Sequence, residues 1–122
     1  MRLAIAEAVA FHTAIGPARK AARLRYLRDR WAKRLIATGK FTVHTNLDPA
    51  QSCAIGTVQI TGAPTPKVVA RLWEKWRIIA TPIVHAEYEG LRITPNVYTT
   101  LEEIDTFAGA MEGICEKGID GF

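Results

Sequence analysis

The stretch Leu91-Arg-Ile-Thr-Pro-Asn-Val-Tyr-Thr-Thr-Leu-Glu-Glu contains the residue whose type and setting most directly suggest chemistry, Arg92. Its neighbours Leu91 and Ile93 are apolar. In an extended segment they point to one face and Arg92 to the other. A guanidinium between two core-type residues therefore faces solvent, a partner or a cleft. Its planar fork matches a carboxylate through two parallel hydrogen bonds, a common way to hold an amino acid or oxo-acid. The residues alone leave two readings open: a carboxylate clamp, or a solvated arginine on an exposed sheet face. His85, in the polar loop just before this strand, and Asn96 and Tyr98, just after it, are candidates for the edge of such a cleft.

Other constellations are weaker. His85, Glu87 and Glu89 form an HxExE run, but a metal site wants further His or Cys ligands at fixed spacing, and His12 and His44 are distant in sequence. Ser52 is the sole serine and lies in no nucleophile-elbow motif. Cys53 and Cys115 make no disulfide framework and no CxxC knuckle, so two buried thiols in a reducing compartment are expected. The lysines Lys20, Lys33, Lys40, Lys67, Lys75 and Lys117 fall on solvated helices or helix ends, and no glycine-rich phosphate cradle is present. No metal site, catalytic group or cofactor-binding residue is expected within the chain.

The elements that would position Arg92 follow from periodicity. Met1–Ile15 is alanine-rich, with Leu3, Ala6, Ala10 and Ala14 at helical spacing, and stops at Gly16. Pro17 opens a second helix to about Thr38, where Leu24, Leu27, Trp31 and Leu35 form one apolar stripe. Phe41–His44 and Cys53–Thr61 are β-prone, with a turn at Asn46–Pro49 between them. Thr65 is expected to cap a helix whose apolar face is Val68, Val69, Leu72 and Trp76. Arg77–Pro82 and Leu91–Thr94 complete the strands. Thr100 with Glu103 three residues on is a capping box opening a last helix, buried through Ile104, Phe107, Met111 and Ile114. The tail after Lys117 should fray. The expected fold is α+β: a small, mostly antiparallel sheet covered by helices on one face, with a helical lead-in over 1–38 and the sheet and its helices over 41–117 of a single domain.

At 122 residues, 48% of them hydrophobic, the chain can bury roughly two-thirds of its unfolded surface without a staple. No apolar run approaches a membrane span, and the first residues do not form a signal peptide, so a cytoplasmic location is expected. The net charge of +4 hides a division. Residues 1–40 hold ten Lys/Arg against two Asp/Glu, and the remainder six against ten. The basic excess sits on the helix from Pro17, whose eight Lys/Arg face one acid, Asp29. Such a helix suits an interdomain or solvated face. A phosphate footprint with Tyr26 and Trp31 stacking is the less favoured nucleic-acid reading, because Trp31 lies on the apolar stripe.

Arg92-Ile-Thr94 followed by Tyr98-Thr-Thr-Leu-Glu-Glu-Ile-Asp105 resembles the C-terminal motif of class V aminotransferase-like enzymes, a pyridoxal-phosphate group that includes cysteine desulfurases and isopenicillin N epimerase-like proteins. The resemblance extends upstream. Phe11, Ile15 and Gly16 before an arginine-rich helix resemble the opening of that group's small domain. Leu72-Trp-Glu-Lys75 before Arg77-Ile-Ile-Ala-Thr-Pro82 resembles the helix and strand that precede the arginine motif. The match covers residues 5–117. It implies that Arg92 binds the substrate α-carboxylate. It also implies that the Schiff-base lysine, the aspartate on the pyridine nitrogen and the phosphate loop belong to a large domain N-terminal to Met1, so that this chain is inactive alone. The family often has asparagine where this chain has Thr99. A domain parted from its large partner should expose apolar surface, and homo-oligomerisation through the Ala-rich first helix is expected. The alternative is a stand-alone α+β module that holds a carboxylate metabolite or, through the basic helix, nucleic acid.

Overall fold

The computed structural model describes residues 3–121; the beginning of the expected first helix, at Met1 and Arg2, and the last residue of the tail lie outside them. The elements run α1 (Leu3–Ile15), α2 (Pro17–Ala37), β1 (Phe41–Val43), β2 (Gly56–Ile60), α3 (Thr65–Trp76), β3 (Thr81–Val84), β4 (Glu89–Ile93) and α4 (Leu101–Lys117). The four strands form one antiparallel sheet in the order β1-β2-β4-β3. This is the α+β class expected from the sequence, with two helices ahead of the sheet.

Helices α2, α3 and α4 cover one sheet face. Leu27, Trp31 and Leu35 of α2 meet Val58 and Ile60 of β2, Leu91 of β4, Val68 and Leu72 of α3, and Ile104, Phe107 and Met111 of α4 in one core. Trp31 and Phe107 pack edge to face at 5.8 Å, a geometry that suits their ring quadrupoles. Gly56 is required for this packing: a Cβ there would stand 2.6 Å from a ring carbon of Trp31. At Thr100 the capping box closes as expected, with Thr100 Oγ1 accepting from the Glu103 N–H and the Glu103 carboxylate accepting from the Thr100 N–H.

Three expectations need correction. Thr65 does not cap α3. Pro64 occupies the N-cap, and the Thr65 hydroxyl is buried without a hydrogen-bond partner. Residues 77–80 are not strand. Arg77 takes a left-handed conformation (φ 57°), and Ile78 N–H returns to Leu72 C=O, so these residues end α3 and β3 starts only at Thr81. The second strand is also shorter than Cys53–Thr61, because residues 52–53 are held against α2: Ser52 accepts from Arg25 and Arg28, and Cys53 Sγ approaches Ala21 C=O at 3.9 Å.

Arg28 of α2 is fully buried, although its charge suggests surface. Its guanidinium donates twice to Asp29 Oδ1 (2.9 and 2.7 Å), to Ser52 Oγ (2.5 Å) and to Leu47 C=O (2.9 Å). Ser52 Oγ in turn donates to Asn46 C=O. The loop between β1 and β2 is thereby tied to α2, and the buried cation finds the partners that its desolvation requires.

Helix α1 differs from every other element. Residues 4–14 are all exposed, including Ile5 (66%), Val9 (59%) and Phe11 (53%). A helix apolar all round normally lies buried. No described helix is long and apolar enough to cross a membrane.

Candidate functional site

Arg92 lies on the face of the sheet opposite the helices. In β4 the residues Leu91 and Ile93 turn toward the core, and Arg92 and Gly90 turn away from it. Arg92 is paired with Thr57 of β2 on one side and Thr81 of β3 on the other. Its Nη2 donates to Thr81 Oγ1 at 3.5 Å, at the long limit for such a bond. Thr57 lies buried beside it, which is possible because Gly90 has no side chain: a Cβ there would come within 2.6 Å of Thr57 Cγ2 and 3.2 Å of Val58 C=O. Among the described residues Arg92 forms no ion pair.

Arg28, Arg30 and Arg34 of α2, each held by a carboxylate, contrast with it. Arg30 grips Asp105 with two bonds of 2.7 Å, and Arg34 grips Glu112 at 2.8 and 2.6 Å. Arg23 donates to Thr99 C=O, and Arg25 to Pro49 and Ser52 C=O. The Arg30 hydrogen bond holds the Asp105 carboxyl below its ordinary value, and Asp105 in return raises that of Arg30. At Asp29, burial pushes the carboxyl up, and the hydrogen bonds from Arg28 and Lys33 overcome it and leave it lowered. Much of the basic excess of α2 is thus directed inward, at α4 and the β1–β2 loop.

The sequence-expected edge residues stand at two ends of β4. His85 closes the β3–β4 hairpin: its N–H donates to Tyr88 C=O (3.0 Å), and its Nδ1 accepts from Glu87 N–H (3.3 Å). Asn96 and Tyr98 belong to the turn beyond the other end. Asn96 Nδ2 donates to Tyr98 Oη (3.3 Å), Asn96 N–H to Thr99 Oγ1 (2.9 Å), and Tyr98 is 75% exposed. Thr99, the departure from the family pattern, therefore closes this turn through its hydroxyl. The neighbours that the sequence did not single out are Thr57 and Thr81. Strand alternation identifies their face, but only the strand order β2-β4-β3 brings them beside Arg92.

The helix side holds a groove of about 580 Å³ between the ends of α3 and β4 and the start of α4, lined by Ile79, Ile93, Pro95, Thr99, Thr100 and Phe107 among others. Arg77 lies at its margin, with its guanidinium 5.2 Å from the Trp73 ring centroid. The groove opens on the other side of the sheet from Arg92. Among the described residues no three His, Cys, Asp or Glu side chains gather as a metal cluster.

An antiparallel sheet with helices on one face and, on the other, an arginine without an ion pair among the described residues defines an α+β domain with one helix-free sheet face. Comparison with known proteins specifies its kinship. No family model matches the chain. It is 35% identical over 115 residues to isopenicillin N epimerase of Streptomyces clavuligerus, covering 92% of this chain and 28% of that protein. Its fold matches an apo cysteine desulfurase from Thermococcus onnurineus NA1 with a TM-score of 0.75 at 20% identity, over 85% of this chain and 28% of that one. Over most of its length the chain is similar to a small part of class V aminotransferase-like proteins, and it spans little more than a quarter of the length of these relatives.

Proposed function

We propose that this chain is the substrate-carboxylate-binding domain of a class V aminotransferase-like enzyme, with Arg92 gripping the α-carboxylate of an amino acid or oxo-acid. The observation that carries this reading is the state of Arg92: it stands on the helix-free sheet face without an acidic partner among the described residues, while Arg28, Arg30 and Arg34 are engaged by carboxylates. A guanidinium left in this state keeps its planar fork free for a ligand carboxylate.

Full-length enzymes of this kind use pyridoxal phosphate, which supplies an electrophile for the substrate amine. The residues here do not fit that cofactor. None of the four strands contains a lysine or an aspartate, so the face around Arg92 offers neither an amine for a Schiff base nor an acid for the pyridine nitrogen. The chemistry therefore belongs to a second, larger domain. The exposed apolar helix α1 supports this, since Ile5, Val9 and Phe11 need a covering surface. His85, Asn96 and Tyr98 would border the cleft between the two.

A nucleic-acid role for α2 is the weaker reading, because Arg28, Arg30 and Arg34 are already committed to Asp29, Asp105 and Glu112. A titration followed by the amide signals of Thr57, Thr81 and Arg92 tests the proposal. Alanine should shift them, and alaninamide, which lacks the carboxylate, should not. Equal shifts from both would overturn it.

A further inference from the structure

The face that carries Arg92 also carries three aromatic rings. His44 directly follows β1, and its N–H donates to Thr57 C=O at 2.9 Å, which continues the β1–β2 register by one residue. His44 and Arg92 therefore flank Thr57 in one cross-strand row, two strand spacings or roughly 10 Å apart. Tyr88 precedes β4, and by alternation its side chain shares the face of Gly90 and Arg92. Its ring lies 5.0 Å from that of His44 and 6.1 Å from that of His85, tilted by 42° and 40°. Strand β2 runs between β1 and β4, so the His44–Tyr88 contact passes over it. Gly90, one residue in from this contact on the same face, adds no side chain to it, and its place is taken by the Thr57 methyl group.

These rings are held in place and still open to solvent. Gln59 Oε1 lies 3.1 Å from His44 Nε2, and the Glu87 N–H fixes His85 Nδ1. All three rings are exposed. No strand position on this face holds an acid or a second Lys or Arg. One guanidinium beside a run of rings complements one negative charge joined to a planar group.

We propose that this face is a two-part ligand site for a monocarboxylate bearing an aromatic ring, with the carboxylate on Arg92 and the ring against Tyr88 and His44. This rests on the reading of Arg92 given above and adds the substrate class. Tyr88 and His44 are then the residues that set specificity, and the rings of ligand and protein adopt the offset or edge-on geometries that aromatic pairs favour.

The test uses two probes of equal charge and length, 3-phenylpropionate and 3-cyclohexylpropionate, titrated separately into the labelled chain and followed by NMR. Hydrophobicity alone favours the cyclohexyl compound, so a preference for the planar ring reports stacking. Phenylpropionate should bind about three- to tenfold more tightly, and should shift the ring signals of Tyr88 and His44 together with the side-chain signal of Arg92. Tyr88→Ala and, independently, His44→Ala should reduce the preference to less than about twofold. If the two probes bind equally, or both variants keep the full preference, the aromatic half of the site is refuted while the role of Arg92 stands. If neither probe moves the Arg92 signal, both readings fall.

Discussion

Thr57 and Arg92 stand directly opposite each other in β2 and β4, and Thr57 lies buried in the space that Gly90 leaves open. The guanidinium thus stands beside a small, buried neighbour, with one long hydrogen bond to Thr81 Oγ1 (3.5 Å) and no acid paired with it among the described residues.

Gly56 should not accept a side chain. A Cβ at this position meets two ring carbons of Trp31 at 2.6 and 2.9 Å, and Trp31 is fully buried against Phe107. Gly56→Ala is expected to cost about 1–3 kcal/mol by overpacking. Urea denaturation checks it, and an unchanged midpoint would show that the core yields freely.

Removal of the buried guanidinium should be costly. Arg28→Ala strips Asp29, Ser52 Oγ and Leu47 C=O of a shared donor and empties a fully buried site. A loss of about 3 kcal/mol is expected. Arg28→Lys should recover only part of it, because one ammonium cannot reproduce the guanidinium fork. Faster amide exchange confined to residues 46–53 would locate the effect in the loop that Arg28 holds.

Stability should fall in acid. The carboxyls of Asp105 and Asp29 are held below the ordinary value of 3.8, so their contribution is fully present above that pH and is lost as the pH falls through their lower folded values. Asp105 is open to solvent, so added salt should weaken its share. Denaturation curves from pH 7 down to pH 2 check this, and Arg30→Gln should flatten the acid limb.

The chain by itself should associate. Ile5, Val9 and Phe11 are exposed on a helix with no polar face of its own, and burial of such surface is favourable at about 25 cal/mol per Å². Sedimentation at rising concentration should show self-association, and the double change Val9→Glu and Phe11→Ser should suppress it. A monomer at every concentration would contradict the role given to α1.

Much of this was legible in the sequence where local rules decide. Alternation around Leu91, Arg92 and Ile93 correctly assigned the two faces of β4. The Thr100–Glu103 box marked the start of α4, and the Leu27–Trp31–Leu35 stripe marked the buried side of α2. Where tertiary partners decide, the sequence misled. Ile78 and Ile79 have strand propensity, but the left-handed turn at Arg77 spends them on closing α3 without the glycine that usually signals such a turn. Arg28 resembles its neighbours in α2, and only the loop that returns at Leu47 and Ser52 makes it a core residue. Of the candidate site, Arg92 was visible through its neighbours in sequence. Thr57, Thr81, His44 and Tyr88 were not, because strand order and register bring them to it.

The most direct measurement is the affinity of the chain for alanine, with Arg92 intact and as Arg92→Gln, at fixed ionic strength. Saturable binding is expected to weaken about tenfold or more when the charge is removed, with Arg92→Lys between the two because it keeps the charge and loses the fork. Equal affinity for the intact chain and Arg92→Gln would contradict it.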